Sequence, residues 1–80
     1  MAESKIERAT RIKARMEANR LTAQWLMLRL SKEHNIEIDK SSLSQILSGT
    51  RVAGEKPEQV LSATEQVLDR YEEFYKKEVS

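Results

Sequence analysis

The stretch DKSSLSQILSGTR, Asp39 to Arg51, holds an ammonium group, four serine hydroxyls and a primary amide among only three apolar side chains. On a helical period, Leu43, Ile46 and Leu47 form one stripe, and Lys40, Ser41, Ser44, Gln45 and Ser48 fall outside it. The outward set is short or amide-bearing. A glutamine amide can pair bidentately with adenine, a lysine can donate to guanine, and serine donates or accepts while leaving room for close backbone approach. A helix face that only met water would more often carry Glu and Lys. The chemistry on offer is therefore the reading of base edges.

That chemistry requires elements to hold it. Eighty residues make one domain, numbered 1–80, and a chain this short buries only about 60% of the surface it exposes when unfolded. With no cysteine and a single histidine, stability is expected from helix packing or from a partner subunit. Glycine and proline occur only at Gly49, Gly54 and Pro57, so helical periodicity runs nearly uninterrupted on both sides. The expected fold class is all-α.

Four helices follow from the pattern. Ile6, Ala9, Ile12 and Met16 mark the buried face of a first helix from about Ser4 to Asn19, with Arg8, Arg11 and Arg15 on another face expected to be solvated. Thr22 is suited to cap a second helix, in which Ala23, Leu26 and Leu30 face inward. After the link NIEID, Asp39 caps a third helix, Lys40 to Ser48, which Gly49 ends by adopting positive φ. Pro57 opens a fourth, long helix to about Lys77. Its apolar residues form two lines, Val60, Thr64, Val67, Tyr71 and Phe74 beside Leu61, Leu68 and Tyr75, a width that predicts contacts with more than its own domain.

The run LTAQWLMLRL followed by IDKSSLSQILSGTR resembles the phage-repressor type of DNA-binding domain, the Cro-like or xenobiotic-response-element family. Leu21, Thr22, Leu26, Leu30, Ile38, Asp39, Leu43, Ser44, Gly49 and Arg51 fall on that family's pattern. The resemblance implies a four- to five-helix, lambda-repressor-like domain with a helix-turn-helix core at residues 21–51, reading the major groove as a dimer. It assigns base reading to Lys40, Ser41, Ser44 and Gln45, and phosphate contacts to Thr22, Ser42, Ser48, Thr50 and Arg51. The chain departs from the family at Ala23, where a phosphate-bracing glutamine is usual, and at Met27, where a small alanine is usual. SKEHNIE, Ser31 to Glu37, lengthens the second helix and the turn.

The bland alternatives are specific. Ser41 and Ser42 can serve as capping residues, and Arg51 can simply complement a helix C-terminus. Trp25 and Leu28 lie on one side of the second helix and either pack under the fourth helix, the reading favoured for Trp25, or share a dimer surface with Tyr71, Phe74 and Tyr75. Val67, Tyr71, Phe74 and Tyr75 are expected to form a homodimer interface, which the resemblance would pair with an inverted-repeat operator in double-stranded DNA.

Charge agrees only weakly with such a partner. The formal net charge is +1; residues 1–20 carry six basic and three acidic side chains, residues 57–80 three and six. That polarity suits a protein that lays one face on a polyanion, and it suits a plain bundle nearly as well. There is no phosphate loop, no nucleophile with a histidine base and no credible carboxylate pair in a cleft, so an enzyme is not expected. His34 has no Cys, Asp or Glu at ligand spacing, and neither metal nor cofactor is expected. No apolar run suggests a membrane span or a signal segment, and a cytoplasmic protein is expected. The reading is a small phage or mobile-element repressor; the alternative is an antitoxin-like or adaptor module that uses the same fold to bind a protein.

Overall fold

The computed structural model describes the backbone of residues 4–79 and the side chains of residues 4–74. Among them are four helices and no strand: α1 (Lys5–Ala18), α2 (Ala23–His34), α3 (Lys40–Leu47) and α4 (Glu55–Val79). No helix among the described residues is long and apolar enough to cross a membrane.

Each of the first three helices starts on a side-chain cap. Ser4 Oγ accepts from the Glu7 N–H at 3.1 Å, Thr22 Oγ1 from the Trp25 N–H at 3.1 Å, and Asp39 Oδ2 from the Ser42 N–H at 3.2 Å. Each satisfies a first-turn donor that has no partner within the helix. The serines of α3 are thus not its caps; Asp39 is. α4 begins two residues before Pro57, which then sits where its missing N–H costs nothing, and Glu55 and Glu58 add negative charge to the positive end of the helix.

The core joins all four helices. Ala9, Ile12 and Met16 of α1, Leu26 and Leu30 of α2, Leu43, Ile46 and Leu47 of α3, and Val60, Leu61, Ala63, Val67 and Leu68 of α4 are buried together. α1 and α2 each pack against both α3 and α4. Much of the breadth of α4's apolar face follows from this arrangement, because α4 packs against both α1 and α2 and buries Val60, Leu61, Val67 and Leu68 in the chain's own core.

Three expectations change. Ile6 is not in the core; it is 55% exposed and lies over the turn after α3, close enough that a Cβ added at Gly49 would come within 3.3 Å of its Cγ2. The first turn of α1 overhangs the core, and Lys5 Nζ accordingly reaches the Gly54 carbonyl at 3.4 Å. Val67 is 3% exposed and belongs to the chain's own core, so of the expected interface set it offers only an edge, at the floor of a cleft between α2 and α4.

The third change concerns the arginines of α1. Arg8 and Arg15 do not form a solvated face. Arg8 bonds Glu58 at 2.9 Å and Glu65 at 2.6 Å, with Ser62 Oγ at 3.2 Å; Arg15 bonds Asp69 at 2.7 Å and Glu72 at 3.0 Å. Asn19 Nδ2 also donates to Glu72 at 3.2 Å. The basic front and acidic back of the chain therefore neutralise each other across α1 and α4.

Candidate nucleic-acid interface

The side chains of α3 divide cleanly. Leu43 is fully buried, Ile46 and Leu47 nearly so, and they fix the helix against α1 and α2. Lys40, Ser41, Ser44, Gln45 and Ser48 are exposed, while Ser42 is half-buried. All four side chains expected to read bases are therefore on the accessible side of one short helix. Ser41 makes no side-chain hydrogen bond to another described residue, which leaves its hydroxyl available.

The turn after α3 is built on a single acceptor. The Gln45 carbonyl accepts from Ser48 Oγ at 3.0 Å, from the Thr50 N–H at 3.0 Å and from the Arg51 N–H at 3.2 Å. Gly49, at φ 82°, supplies the left-handed residue that this reversal requires, and its N–H meets the Ile46 carbonyl at 3.1 Å. Ser48 Oγ also lies 3.0 Å from Thr50 Oγ1. The Ser48 and Thr50 hydroxyls are thus engaged with each other and with the turn, and a phosphate contact by either would add to an existing structural role. Arg51 leaves the turn exposed, with no ion pair to a described residue. Thr22 is exposed as well, and its oxygen is already used as the α2 cap.

An open groove of about 750 Å³ runs beside this region, between the link before α3 and the loop after it. Ser42 and Arg51 line it together with Asp39 and Lys56. Lys56 Nζ ties the two loops by donating to the Glu37 carbonyl at 3.4 Å. Asp39's carboxyl is held below its ordinary range, chiefly by the Ser42 side-chain hydrogen bond and then by the Ser42 backbone N–H. It therefore stays negative at the very start of α3. On the other flank of α3 a smaller cleft is lined by Lys13, Glu17 and Ser44. Lys13 and Lys56 are cations beside α3 that linear sequence reading does not single out, because each comes from a helix remote in the chain.

A second cluster lies between α2 and α4. The Trp25 and Tyr71 rings meet edge to face, centroids 5.4 Å apart at 76°, and the Arg29 guanidinium carbon sits 5.7 Å from the Trp25 ring centre. Trp25 thus packs under α4 as expected, and Leu28 is 52% exposed. Tyr71 is half-buried on Trp25, Phe74 is 65% exposed, and the Tyr75 side chain lies outside the described residues. Among the described residues no group of three or more His, Cys, Asp or Glu could hold a metal ion.

No family model, no curated protein and no solved structure matches this chain.

Proposed function

We propose that the chain is a sequence-specific regulator that binds double-stranded DNA as a homodimer, with α2 and α3 acting as a helix-turn-helix and α3 entering the major groove. The observation that carries this reading is the division of α3. Three apolar side chains bury completely or nearly so, and the exposed remainder, Lys40, Ser41, Ser44 and Gln45, is the part with base-edge chemistry. A helix needed only for packing has no reason to concentrate those side chains opposite its core stripe.

Phosphate contacts fall to Arg51 and to Lys13 and Lys56, which border α3 on either side. Arg8 and Arg15 are withdrawn from this task because their charges are satisfied by α4. The cationic surface left for DNA is small. A single short helix reads few base pairs, so a symmetric dimer on an inverted repeat supplies what one copy lacks, with half-sites about 34–36 Å apart, or about 10–10.5 base pairs.

Selection of bound sequences from random duplex DNA tests the proposal directly, with affinity then measured against salt. The expected outcome is a short inverted repeat and an affinity that falls steeply as salt rises. Absence of salt-sensitive binding to any duplex would sink it and favour a protein-binding module on the same fold.

A further inference from the structure

We infer that Phe74 is the knob of a two-fold interlock, entering the cleft lined by Trp25, Val67 and Tyr71 of a second copy of this chain while that copy's Phe74 enters the same cleft here. The inference deepens the dimer of the proposed function and rests on it; it does not depend on which DNA, if any, is bound.

The cleft between α2 and α4 measures about 260 Å³ and has Trp25, Val67 and Tyr71 in its wall. A cavity of about 150 Å³ lined by apolar side chains already takes a benzene ring, so a phenyl group fits. Phe74 stands on the rim of this hollow, one helical turn beyond Tyr71, with its side chain 65% exposed. A single exposed apolar residue needs no explanation. Here the exposed Phe74 adjoins a half-buried Tyr71 and Trp25, and Leu28, 52% exposed, lies one turn along α2 from Trp25. A protrusion and a hollow of matching size and chemistry, side by side on one surface, are what an isologous interface requires, because a two-fold axis applies the same patch twice.

The charges on the rim favour a second copy over an unrelated partner. The α2 wall carries Arg29 and Glu33, joined at 3.3 Å; the α4 wall carries Arg70, which pairs with no described residue. Two-fold pairing sets the α4 wall of one copy against the α2 wall of the other. Arg70 then approaches the second copy's Arg29–Glu33 pair, in which Glu33 is the acidic group of the cleft wall able to answer it.

Trp25 is the only tryptophan in the chain, and it lines the cleft, so its emission reports on occupancy. Sedimentation equilibrium of the full chain should show a monomer–dimer equilibrium, with Trp25 emission shifting over the same concentration range. Phe74→Ala should weaken dimerisation more than tenfold and carry the emission change with it, while far-UV dichroism, and Tm at concentrations low enough for both chains to be monomeric, stay as in the parent, since Phe74 is outside the core. Glu33→Arg should also weaken the dimer, and the double variant Glu33→Arg with Arg70→Glu should regain affinity. A dimer that is unaffected by Phe74→Ala overturns the interlock and leaves a dimer through another face; a chain that stays monomeric at all concentrations and binds a single half-site overturns both the interlock and the dimer.

Discussion

Arg8 and Glu65, separated by 57 residues in the chain, meet at 2.6 Å where α1 lies along α4. The pairing repeats: Arg8 and Arg15 are two helical turns apart, and so are Glu58, Glu65 and Glu72, so two helices running in the same direction bring the series into register. Both arginines are mostly covered, with 18% and 23% of their side chains exposed, and each binds two carboxylates. Multiple partners and low exposure separate this network from an ordinary surface pair. Arg8→Ala is expected to cost about 1–2 kcal/mol, lowering Tm by roughly 4–8 °C per kcal/mol. Arg29→Ala, which removes one more exposed pair with Glu33 and a contact over the Trp25 ring, should cost less by thermal melting.

This network and the cap of α3 together set an acid response. Glu58's carboxyl is held below its ordinary value, first by the Arg8 hydrogen bond, and Asp39's is lowered chiefly by Ser42. A carboxyl whose pKa is depressed by folding contributes stability that is fully present above its unfolded value and is lost as pH falls through the folded one. Tm should therefore be flat near neutrality and decline below about pH 4.5, as the unfolded chain begins to bind protons that the folded chain refuses. In Arg8→Ala the decline should be shallower, since part of its cause is gone; an unchanged acid slope in thermal melts would show that Arg8 does not set it.

Thr64 sits fully buried in α4, and its hydroxyl has no hydrogen-bond partner among the described residues. A buried unsatisfied hydroxyl forfeits its hydration without return. Thr64→Val replaces that group with a methyl of similar shape and should stabilise the chain by about 1 kcal/mol. Thr64→Ser keeps the hydroxyl and deletes the methyl, so it should destabilise by about 1 kcal/mol. Denaturant titration of the two variants gives opposite shifts in midpoint, and a loss of stability in Thr64→Val would mean the hydroxyl is bonded in solution.

Much of this architecture was legible because local chemistry and tertiary structure agree. Thr22, Asp39 and Gly49 act on their own neighbours, so cap and stop signals can be read without knowing the fold. The stripe of Leu43, Ile46 and Leu47 could be read for the same reason, and it is the burial of that stripe that leaves Lys40, Ser41, Ser44 and Gln45 outward. What could not be read from local pattern depends on which helices are neighbours. Arg8 and Arg15 look like solvent residues until α4 is laid beside α1, although the shared spacing of seven residues at 8 and 15, and at 58, 65 and 72, was a usable signal. Ile6 continues the apolar period of α1 faithfully, yet the core ends before its turn. Val67 looks as available as Phe74 on a helical period; only the position of α2 along α4 decides that one is buried and the other exposed.

Three residues after helix ends, Arg20, Asn35 and Gly49, adopt the left-handed conformation for the same geometric purpose with different side chains. Arg20, at φ 57°, closes α1 with the Leu21 N–H bonded to the Met16 carbonyl at 2.8 Å, and Gly49, at φ 82°, closes α3. A Cβ in this region costs roughly 1–2 kcal/mol, partly offset by the greater freedom glycine has when unfolded. Arg20→Gly should therefore stabilise by about 0.5–1 kcal/mol. Gly49→Ala should destabilise by about 1–2 kcal/mol, since it adds backbone strain to a contact 3.3 Å from Ile6 Cγ2. Ile6→Ala in the same chain removes only the contact, so chemical denaturation of the double variant should show the backbone part of the loss still present.

The last prediction separates the contacts that α3 and its turn would make with DNA. Gln45 is exposed, outside the core stripe, and only its backbone carbonyl is needed by the turn, so Gln45→Ala leaves the fold intact. It should lower affinity for the selected site by about 1–3 kcal/mol while leaving random duplex nearly unaffected. Arg51 carries a fixed charge on the turn, and Arg51→Ala should weaken binding to all sequences and reduce the salt slope by about one. Asp39 opposes both: its carboxylate is negative at the start of α3, yet its oxygen is the cap of that helix. Asp39→Ser keeps an acceptor for the Ser42 N–H and deletes the charge, so it should raise affinity for specific and random duplex alike, most strongly at low salt. Fluorescence anisotropy with the two duplexes across a salt series resolves all three effects. If Gln45→Ala and Arg51→Ala shift both duplexes equally, Gln45 does not read a base; if Asp39→Ser leaves both unchanged, the start of α3 does not approach a phosphate.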